Sequence, residues 1–409
     1  MTRIAVLTIG SELLDGRVSD TNTATIGDLL HRAGLKLRES RCVSDTPQDI
    51  ILQLRELASA NDVLLVSGGL GPTNDDLTAA AAAQAFNLPL LQNPDAETLI
   101  EAFFTRTRRP MHTSNRKQAL LPASATPVIN ASGSAPGFTL NQSGCQLYFM
   151  PGVPREMTVM LQEEVLPLLR KSIPSPALSR KTLKILGIAE AHLQEKLRDV
   201  AFPDDLEPTF TLDYPLVLLT FEASGEASEL LEESAVLVRN LLGDAVVAED
   251  QESLPEVVAG LLTARGATLS IAESCTGGLL AKLLTDIPGA SRFLERTAVT
   301  YANSAKTDWL KVDPDLLEQH GAVSAEVAEA MAEGMRHAAN SDYALSTTGI
   351  AGPDGGTAEK PVGTVYVALA TANGANAILL QLQGDRRHIR RAAAFRTLDM
   401  LRRELYRDQ

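Results

Sequence analysis

Cysteine is scarce in this chain: Cys42, Cys145 and Cys275 are the only three in 409 residues. They are odd in number, scattered and without metal-ligand spacing. That excludes a disulfide framework and a cysteine-based metal site, and it suits a reducing compartment. Basic residues are also in deficit. Lys and Arg total 37 against 51 Asp and Glu, for a formal net charge of −14. A duplex nucleic acid or an anionic membrane would need an electropositive surface that this balance does not supply. Local basic pockets for a phosphate stay open. No apolar run reaches the length of a membrane span. The opening "MTRIAVLTIGSELL" has a short apolar core without a small-residue cleavage pattern, and it is expected as a first buried strand. There is no internal repeat and no low-complexity tract. The expectation is a cytoplasmic protein with no membrane partner and no direct nucleic-acid partner.

What is present is α/β patterning at a length that suits two or three domains. "IAVLTIG", "DVLLVSGG" and later "QLYFMPG" are continuous apolar runs, as strands covered on both faces should be. Between them, "TNTATIGDLLHRAG" and "PQDIILQLRELASA" have helical apolar spacing, and a further helix is expected from about Pro154 to Arg170. This alternation predicts a doubly wound parallel sheet over 1–170. "KSIPSPALSR" (171–180) has linker composition. The residues that follow, to about 250, read as a small β-α-β-α-β module. From 251 to 409 a second doubly wound region is expected, with strands near 267–272, 296–301, 343–348 and 363–370. The fold class is therefore α/β: two doubly wound three-layer domains joined by a small α+β module.

In the last region, "AESCTGG" (272–278) sets Ser274, Cys275 and Thr276 between a strand and a helix. Ligands in open α/β sheets bind at such corners, where helix N–H groups can meet a phosphate or an oxyanion. Ser and Thr are equally good helix caps, so the stretch alone leaves both readings open. A serine nucleophile needs a base, and "VTYANSAKTDWL" (299–310) places Tyr301 and Lys306 at another strand end. A desolvated lysine loses its proton more readily and can serve a serine hydroxyl. None of the six histidines shows a motif pairing with Cys275, so a Ser–Lys pair is preferred and Cys275 becomes a packed neighbour. "STTGIAGPDGGTAEKPVGTVYVAL" (346–369) adds a glycine-rich loop. "GDRRHIRR" (384–391) adds arginines around a helix start, as a phosphate clamp or as solvated surface.

Near the beginning, "SGGLGPTNDDLT" (67–78) is a glycine loop opening a helix, a natural anion site. Asp75 and Asp76 would repel a phosphate unless a divalent cation bridges them; simple capping explains the pair as well. "GSELLDGRVSDTN" offers Glu12, Asp20 and Asn22 as acceptors, and "MPGVPREM" turns off a later strand with Glu156 beginning a helix.

The motifs "AESCTGG", "VTYANSAK", "GAVSAEVAEAMAEG", "TTGIAGPDGGTAEKPVGTVY" and "GDRRHIR", in that order, resemble the C-terminal domain of the CinA family, the PncC-type nicotinamide-nucleotide amidohydrolase module. The glycine loop, "MPGVPREM", "NRKQALLP" and "GSAPGF" resemble its N-terminal domain, which shares the fold of the molybdopterin-binding MoaB and MoeA proteins. Where "GTAPG" is expected, this chain has "GSAPG", a change that keeps a hydroxyl. The resemblance implies deamidation of nicotinamide mononucleotide (NMN) to nicotinate mononucleotide and ammonia, with no cofactor. Ser274 would be the nucleophile, Lys306 the base, and Tyr301 a residue that orients the pair or stacks on the pyridine ring. Substrate would be held by Thr276, Gly277, Gly278, Thr348, Gly349, Gly352, Gly355, Gly356, Arg386 and Arg387.

For the N-terminal domain the resemblance implies hydrolysis of ADP-ribose to AMP and ribose 5-phosphate. A divalent metal such as Mg²⁺ would sit at Asp75 and Asp76, with a monovalent cation as a further candidate. The implied substrate contacts are Gly10, Ser11, Glu12, Asp20, Asn22, Asp45, Gly68, Gly69, Gly71, Pro72, Thr73, Thr78, Pro151, Gly152 and Glu156. The middle module is KH-like in element order, but "LGIAEAHLQEKL" lacks the second glycine of a nucleic-acid-binding GXXG loop and its flanks are acidic. It is expected as a spacer or dimerisation element, in a homodimer. Two other readings stand beside this one. The N-terminal half could be a non-hydrolytic molybdopterin-binding module. The chain could also be a competence or DNA-uptake factor, against which the net charge argues.

Overall fold

The computed structural model describes residues 2–407 except 174, 177, 204, 205 and 226. It falls into two compact units that divide between Ser179 and Arg180, with Ser224 and Gly225 assigned to the first.

In the first unit the strands are β1 (Ile4–Ile9), β2 (Leu37–Val43), β3 (Val63–Ser67), β4 (Leu90–Gln92), β5 (Leu120–Pro122), β6 (Thr126–Val128), β7 (Gly137–Gln142) and β8 (Cys145–Met150). The main sheet has the order β2-β1-β3-β8-β7-β6. Its first four strands are parallel and its last two antiparallel. Alternation along β1 explains the continuous apolar run. Ile4 and Val6 pack into one core with Ile26, Leu30 and Met157, while Ala5 and Leu7 pack into the other with Leu54 and Ala82. Each face is covered by helices, so neither can be polar. The expected helix from Pro154 continues as helical backbone to Ser172, with a π-turn over Leu161–Val165. Three elements carry no clear signal in the sequence pattern: edge strand β2, the β4–β5 pair and the helix Pro94–Thr107. The "LRESRCV" of β2 is half-buried and polar, so its period is masked.

The second unit holds two sheets. Strands β9 (Leu178–Leu186), β10 (Thr209–Asp213), β11 (Leu216–Ser224) and β12 (Val246–Glu249) form one, in the order β10-β11-β9-β12. This is a β-α-β-β-α-β arrangement, the split βαβ pattern, with one more strand than the sequence reading gave. The extra strand, β10, is an exposed edge that hairpins onto β11, so it has no continuous apolar run to announce it. Within the linker and the acidic flanks, Pro174, Ala177, Asp204, Asp205 and Glu226 lie outside the described residues. The module packs on the domain that follows it. Leu186, Leu216 and Val247 enter the same core as Leu254, Val258 and Leu398 of the following domain. Arg391 pairs with Asp213 at 2.7 Å, and Arg402 donates to the Asp244 carbonyl at 2.6 Å.

The second sheet is built from β13 (Leu269–Glu273), β14 (Leu294–Val299), β15 (Tyr343–Gly349), β16 (Thr364–Thr371) and β17 (Gly374–Gln381), in the order β14-β13-β15-β16-β17. The first three are parallel and the last two antiparallel. Strand β17 was not expected; it is an edge hairpin strand with an alternating, mostly exposed pattern. The carboxyl ends of β13, β14 and β15 bring residues 274, 300 and 347 together, as the doubly wound order requires.

Candidate active sites

Strand β13 ends at Glu273, the chain turns through Ser274–Gly278, and the helix Leu279–Thr285 leaves. Gly277 and Gly278 have φ of 57° and 90°, the left-handed region where a Cβ brings strain. Most amides of this corner are already used. The buried Glu273 carboxylate accepts N–H bonds from Gly278 (2.9 Å), Leu280 (3.2 Å) and Ala281 (2.9 Å). Ser274 N–H donates to the Thr347 carbonyl, and Gly277 N–H to the Ser274 carbonyl. The helix start is therefore capped by protein, one of the two readings that the stretch alone left open. The Cys275 and Thr276 amides lie toward the Cys275 sulfur.

Lys306 lies on the helix Asn303–Leu310, whose inward face carries Lys306 and Leu310 four residues apart. Its side chain is 1% exposed. Nζ stands 3.3 Å from Ser274 Oγ and donates to the Thr300 carbonyl at 2.8 Å and the Tyr301 carbonyl at 3.1 Å. Burial holds its pKa below the ordinary lysine value, and no carboxylate pairs with it among the described residues. A neutral amine has two hydrogens and one lone pair. With the hydrogens given to two carbonyls, the lone pair is left for the serine hydroxyl.

The other expected residues divide. Tyr301 contributes its backbone carbonyl to Lys306, while its side chain is 60% exposed and its hydroxyl accepts from Arg386 at 3.1 Å. Arg386 also donates to the Gly352 carbonyl at 2.9 Å, so it ties the glycine loop to Tyr301. Thr276 is buried, its hydroxyl bonded to that of Thr347 at 2.7 Å. The Thr348 hydroxyl is spent on the Ala322 carbonyl at 2.6 Å. A Cβ at Gly349 would come within 2.8 Å of Thr364 and Val365, so this glycine serves strand packing. Gly355 turns the loop at φ 91°, and Gly356 lies against Val362. Arg387 is exposed; its N–H and that of His388 are taken by Asp385, which caps the helix Arg386–Arg407. Arg390 reaches the corner instead, donating through Nε to the Thr276 carbonyl at 3.1 Å. Cys275 is buried among Ala351, Val365 and Ile389, and burial pushes its thiol up to about 11, as suits a packed neighbour.

In the first unit, the carboxyl ends of β1, β3 and β8 border a cavity of about 500 Å³. Six carboxylates line it: Glu12, Asp20, Asp45, Asp75, Asp76 and Glu156. No Lys, Arg or His is in that lining. Asn22, Gly68, Gly69, Gly71, Pro72, Pro151 and Gly152 join the same wall, while Gly10, Ser11, Thr73 and Thr78 are not part of it. Ser11 N–H supports Asp45 at 2.9 Å, Thr78 hydroxyl donates to the Gly68 carbonyl at 2.8 Å, and Gly10 N–H donates to Val43.

Asp20 caps the helix Thr21–Arg32 through Thr23 N–H at 2.9 Å and also accepts from Thr8. Glu156 is held by Asn130 at 2.7 Å, directly over Gly133. The helix Thr78–Ala85 has no side-chain cap. Asp76 instead accepts from Thr73 N–H at 2.9 Å, folding the loop on itself. Asp75 is exposed, and the Thr73 hydroxyl draws its carboxyl below the usual range, helped by Lys117.

For a divalent cation the donor chemistry fits: oxygen only, mostly anionic. Among the described residues no three acidic, histidine or cysteine side chains converge tightly enough to cage an ion unaided. That is the setting in which Mg²⁺ takes one or two carboxylates and completes its shell with substrate phosphates and water.

A family model described as CinA C-terminal domain matches residues 251–405, and one described as a probable molybdopterin binding domain matches 5–171. A CinA-like protein of Syntrophotalea carbinolica is 46% identical over 404 residues, covering 98% of each chain. One from Geotalea daltonii is 45% identical over 98% of this chain and 99% of its own. The chain belongs to the CinA-like family. A solved structure of the competence/damage inducible protein CihA from Agrobacterium tumefaciens, 41% identical, covers 37% of this chain and 94% of its own, with a TM-score of 0.36. Within this CinA-like chain the Ser274–Lys306 pair falls inside the first match and the acidic cavity inside the second.

Sequence reasoning passed over several residues of these sites. Ser67, Gln118 and Ser134 line the cavity; each sat in a quoted motif, but only the fold puts three distant loops on one wall. Glu273 was visible as an acid at the end of a buried strand. Its partners five to eight residues ahead are backbone amides, which leave no mark in a sequence.

Proposed function

We propose that this chain is a bifunctional nucleotide hydrolase of pyridine-nucleotide recycling, whose second unit deamidates NMN. The observation that carries this is Lys306 Nζ at 3.3 Å from Ser274 Oγ, buried, turned by two carbonyls and unpaired with any acid among the described residues. Ser274 Oγ attacks the carboxamide carbon as its proton passes to Lys306. The tetrahedral oxyanion would need backbone donors at the same corner, where the Cys275 and Thr276 amides would have to turn from the Cys275 sulfur. Collapse transfers the proton from Lys306 to the leaving nitrogen and frees ammonia. A water, deprotonated by the same amine, then cleaves the Ser274 ester to nicotinate mononucleotide. Exposed Tyr301 and Arg386 at the mouth suit the pyridine ring and the phosphate. The test is ammonia release from NMN in EDTA by the full chain and by Ser274→Ala and Lys306→Ala. Release by wild type that both variants abolish is expected; none from folded wild type refutes the deamidase reading.

For the first unit the proposal is hydrolysis of the pyrophosphate link of ADP-ribose, with water added at phosphorus to give AMP and ribose 5-phosphate. A divalent cation held by the cavity carboxylates would neutralise the pyrophosphate and activate water. The glycine loop at 68–71 lets phosphates approach the backbone, and the carboxylates provide a base. AMP formation with Mg²⁺ and its loss in EDTA are expected. The second reading, a molybdopterin-binding module without hydrolysis, is favoured by the family match over 5–171; pterin binding without AMP formation supports it. Nucleotide partners, a cytoplasmic location and a homodimer remain part of the proposal, the last open to sedimentation.

A further inference from the structure

The helix Arg386–Arg407 begins between the proposed amidohydrolase site and the middle module, and its first turns are held from both sides. At about 100° per residue, Arg386 and Arg390 share one face and His388 and Arg391 the opposite one. The first pair grips the site. Arg386 donates to the Gly352 carbonyl at 2.9 Å and to the Tyr301 hydroxyl at 3.1 Å, and Arg390 donates to the Thr276 carbonyl at 3.1 Å. Ile389 is buried in one cluster with Cys275 and Ala351. The second pair meets the tip of the β10–β11 hairpin. The Tyr214 ring stands T-shaped against the His388 imidazole, centroids 4.8 Å apart, and Arg391 pairs with Asp213 at 2.7 Å. The Tyr214 hydroxyl donates to the Gln383 carbonyl at 3.4 Å, just before the helix. Burial, and after it the Asp385 charge, holds that hydroxyl above its ordinary pKa. Tyr214 thus lies close to the carboxylate that caps the helix.

Each hairpin contact is modest alone. An exposed ion pair holds little, and a hydrogen bond of 3.4 Å is long. Together they brace one helix end at Gln383, His388 and Arg391. Ile389 holds the helix to the core on its inner side, so the hairpin opposes an outward tilt. Such a tilt moves residues on both faces together, because the hydrogen-bonded turns of a helix move as one body. Arg386 then leaves the Gly352 carbonyl or draws the glycine loop with it. We infer that Asp213 and Tyr214 are positioning residues of the amidohydrolase site, which hold Arg386 on the glycine loop from the back of the helix. The middle module is thereby a working part of that site. The inference rests on the deamidase reading for the reaction that this positioning serves.

The experiment compares NMN deamidation and amide hydrogen exchange in the full chain and in the double variant Asp213→Ala/Tyr214→Ala. KM for NMN should rise about 10-fold with kcat changed much less, because a misplaced Arg386 weakens binding while Ser274 and Lys306 keep their bond. Partial unfolding would instead lower kcat alone. Tyr214→Phe keeps the ring against His388 and should hold KM within about 2-fold of wild type. Asp244→Ala removes the module's exposed pairing with Arg403 at 3.5 Å, away from the helix start, and should also hold KM within about 2-fold. In an Arg386→Ala background the hairpin change should raise KM by no more than about 2-fold further, since the residues act through one contact. Exchange should rise in the glycine loop, residues 350–363, as well as at 384–391. An unchanged KM, a loss in kcat alone, or a rise that adds in full to that of Arg386→Ala overturns the inference. If folded wild type releases no ammonia, the deamidase reading falls and exchange decides the inference. A rise confined to 384–391 then overturns it, and one that reaches 350–363 upholds the hold on Arg386.

Discussion

The carbonyl of Glu273 accepts the N–H of Thr300 at 2.8 Å, and this bond joins the two halves of the proposed amidohydrolase centre. The residue after Glu273 is the proposed nucleophile, and the carbonyl of Thr300 is one of the two that turn Lys306. The side chain of the same glutamate caps the helix that follows. One residue thus sets Ser274 against the helix that follows and against Lys306.

Glu273→Gln replaces one accepting oxygen with a donor and faces it toward backbone amides. Each amide left without an acceptor costs about 1–3 kcal/mol, so urea unfolding should show a loss of that order. A displacement of the corner by a fraction of an ångström should lower kcat for ammonia release by about 10²-fold, with KM changing much less. Unchanged kcat in a folded Glu273→Gln would remove Glu273 from the positioning of Ser274.

Ser274→Ala and Lys306→Met should each lower ammonia release by on the order of 10³-fold or more, the scale of losing a nucleophile or its base. The double variant should be no slower than either single one, because the two act as a unit. Additive losses in the kinetics would separate them.

The lowered pKa of Lys306 has two consequences. Deamidation needs the neutral amine, so its rate should rise with pH along a limb centred below the ordinary lysine value of about 10.4. In the window between the folded and the unfolded pKa the unfolded chain binds a proton that the folded one does not. Stability should therefore rise with pH there. Below the folded pKa the buried charge is a full penalty. Lys306→Met removes that penalty and the pH dependence, and should raise stability at neutral pH by about 0.5–2 kcal/mol while abolishing activity. Thermal melts across pH check both signs.

Arg386→Ala should raise KM for NMN by about 10-fold with a smaller effect on kcat, because Arg386 joins Tyr301 to Gly352 at the mouth and does not touch Ser274 or Lys306. Its exposure makes a large loss of stability unexpected. Steady-state kinetics and one melting curve settle the matter.

Gly133→Ala places a Cβ within 1.9 Å of a Glu156 carboxylate oxygen. Glu156 must leave Asn130 or the loop must move, at about 1–3 kcal/mol. AMP formation should fall, while ammonia release, which belongs to the other unit, should be unchanged. A parallel loss of both activities would mean that the units do not function separately.

Much of this was legible in the chain itself. Continuous apolar runs such as "IAVLTIG" can only be strands covered on both faces, and the corner residues 274–278 announced their place between strand and helix. Edge strands β2, β10 and β17 were not legible, because a strand with one solvated side or a half-polar face loses the pattern that marks it. Asp75 and Asp76 show the same limit at the level of a site. Their sequence position beside a glycine loop suggested a cap or a metal pair, while the fold turns one into the Thr73 loop and the other to solvent.

By itself the sequence determined the element types, the two α/β regions, the acidic balance and the nucleophile-bearing corner, because these depend on neighbours within a few residues. Only the tertiary structure decided that Lys306 meets Ser274 across 32 residues, that Glu273 fills the helix start, and that Asn22 ties Ser67 to the turn at Gly152. Those facts turn on which backbone amides and carbonyls reach which side chains. Such bonds are formed by strand order and loop closure, and every residue type carries the same backbone groups, so the amino-acid pattern cannot record them.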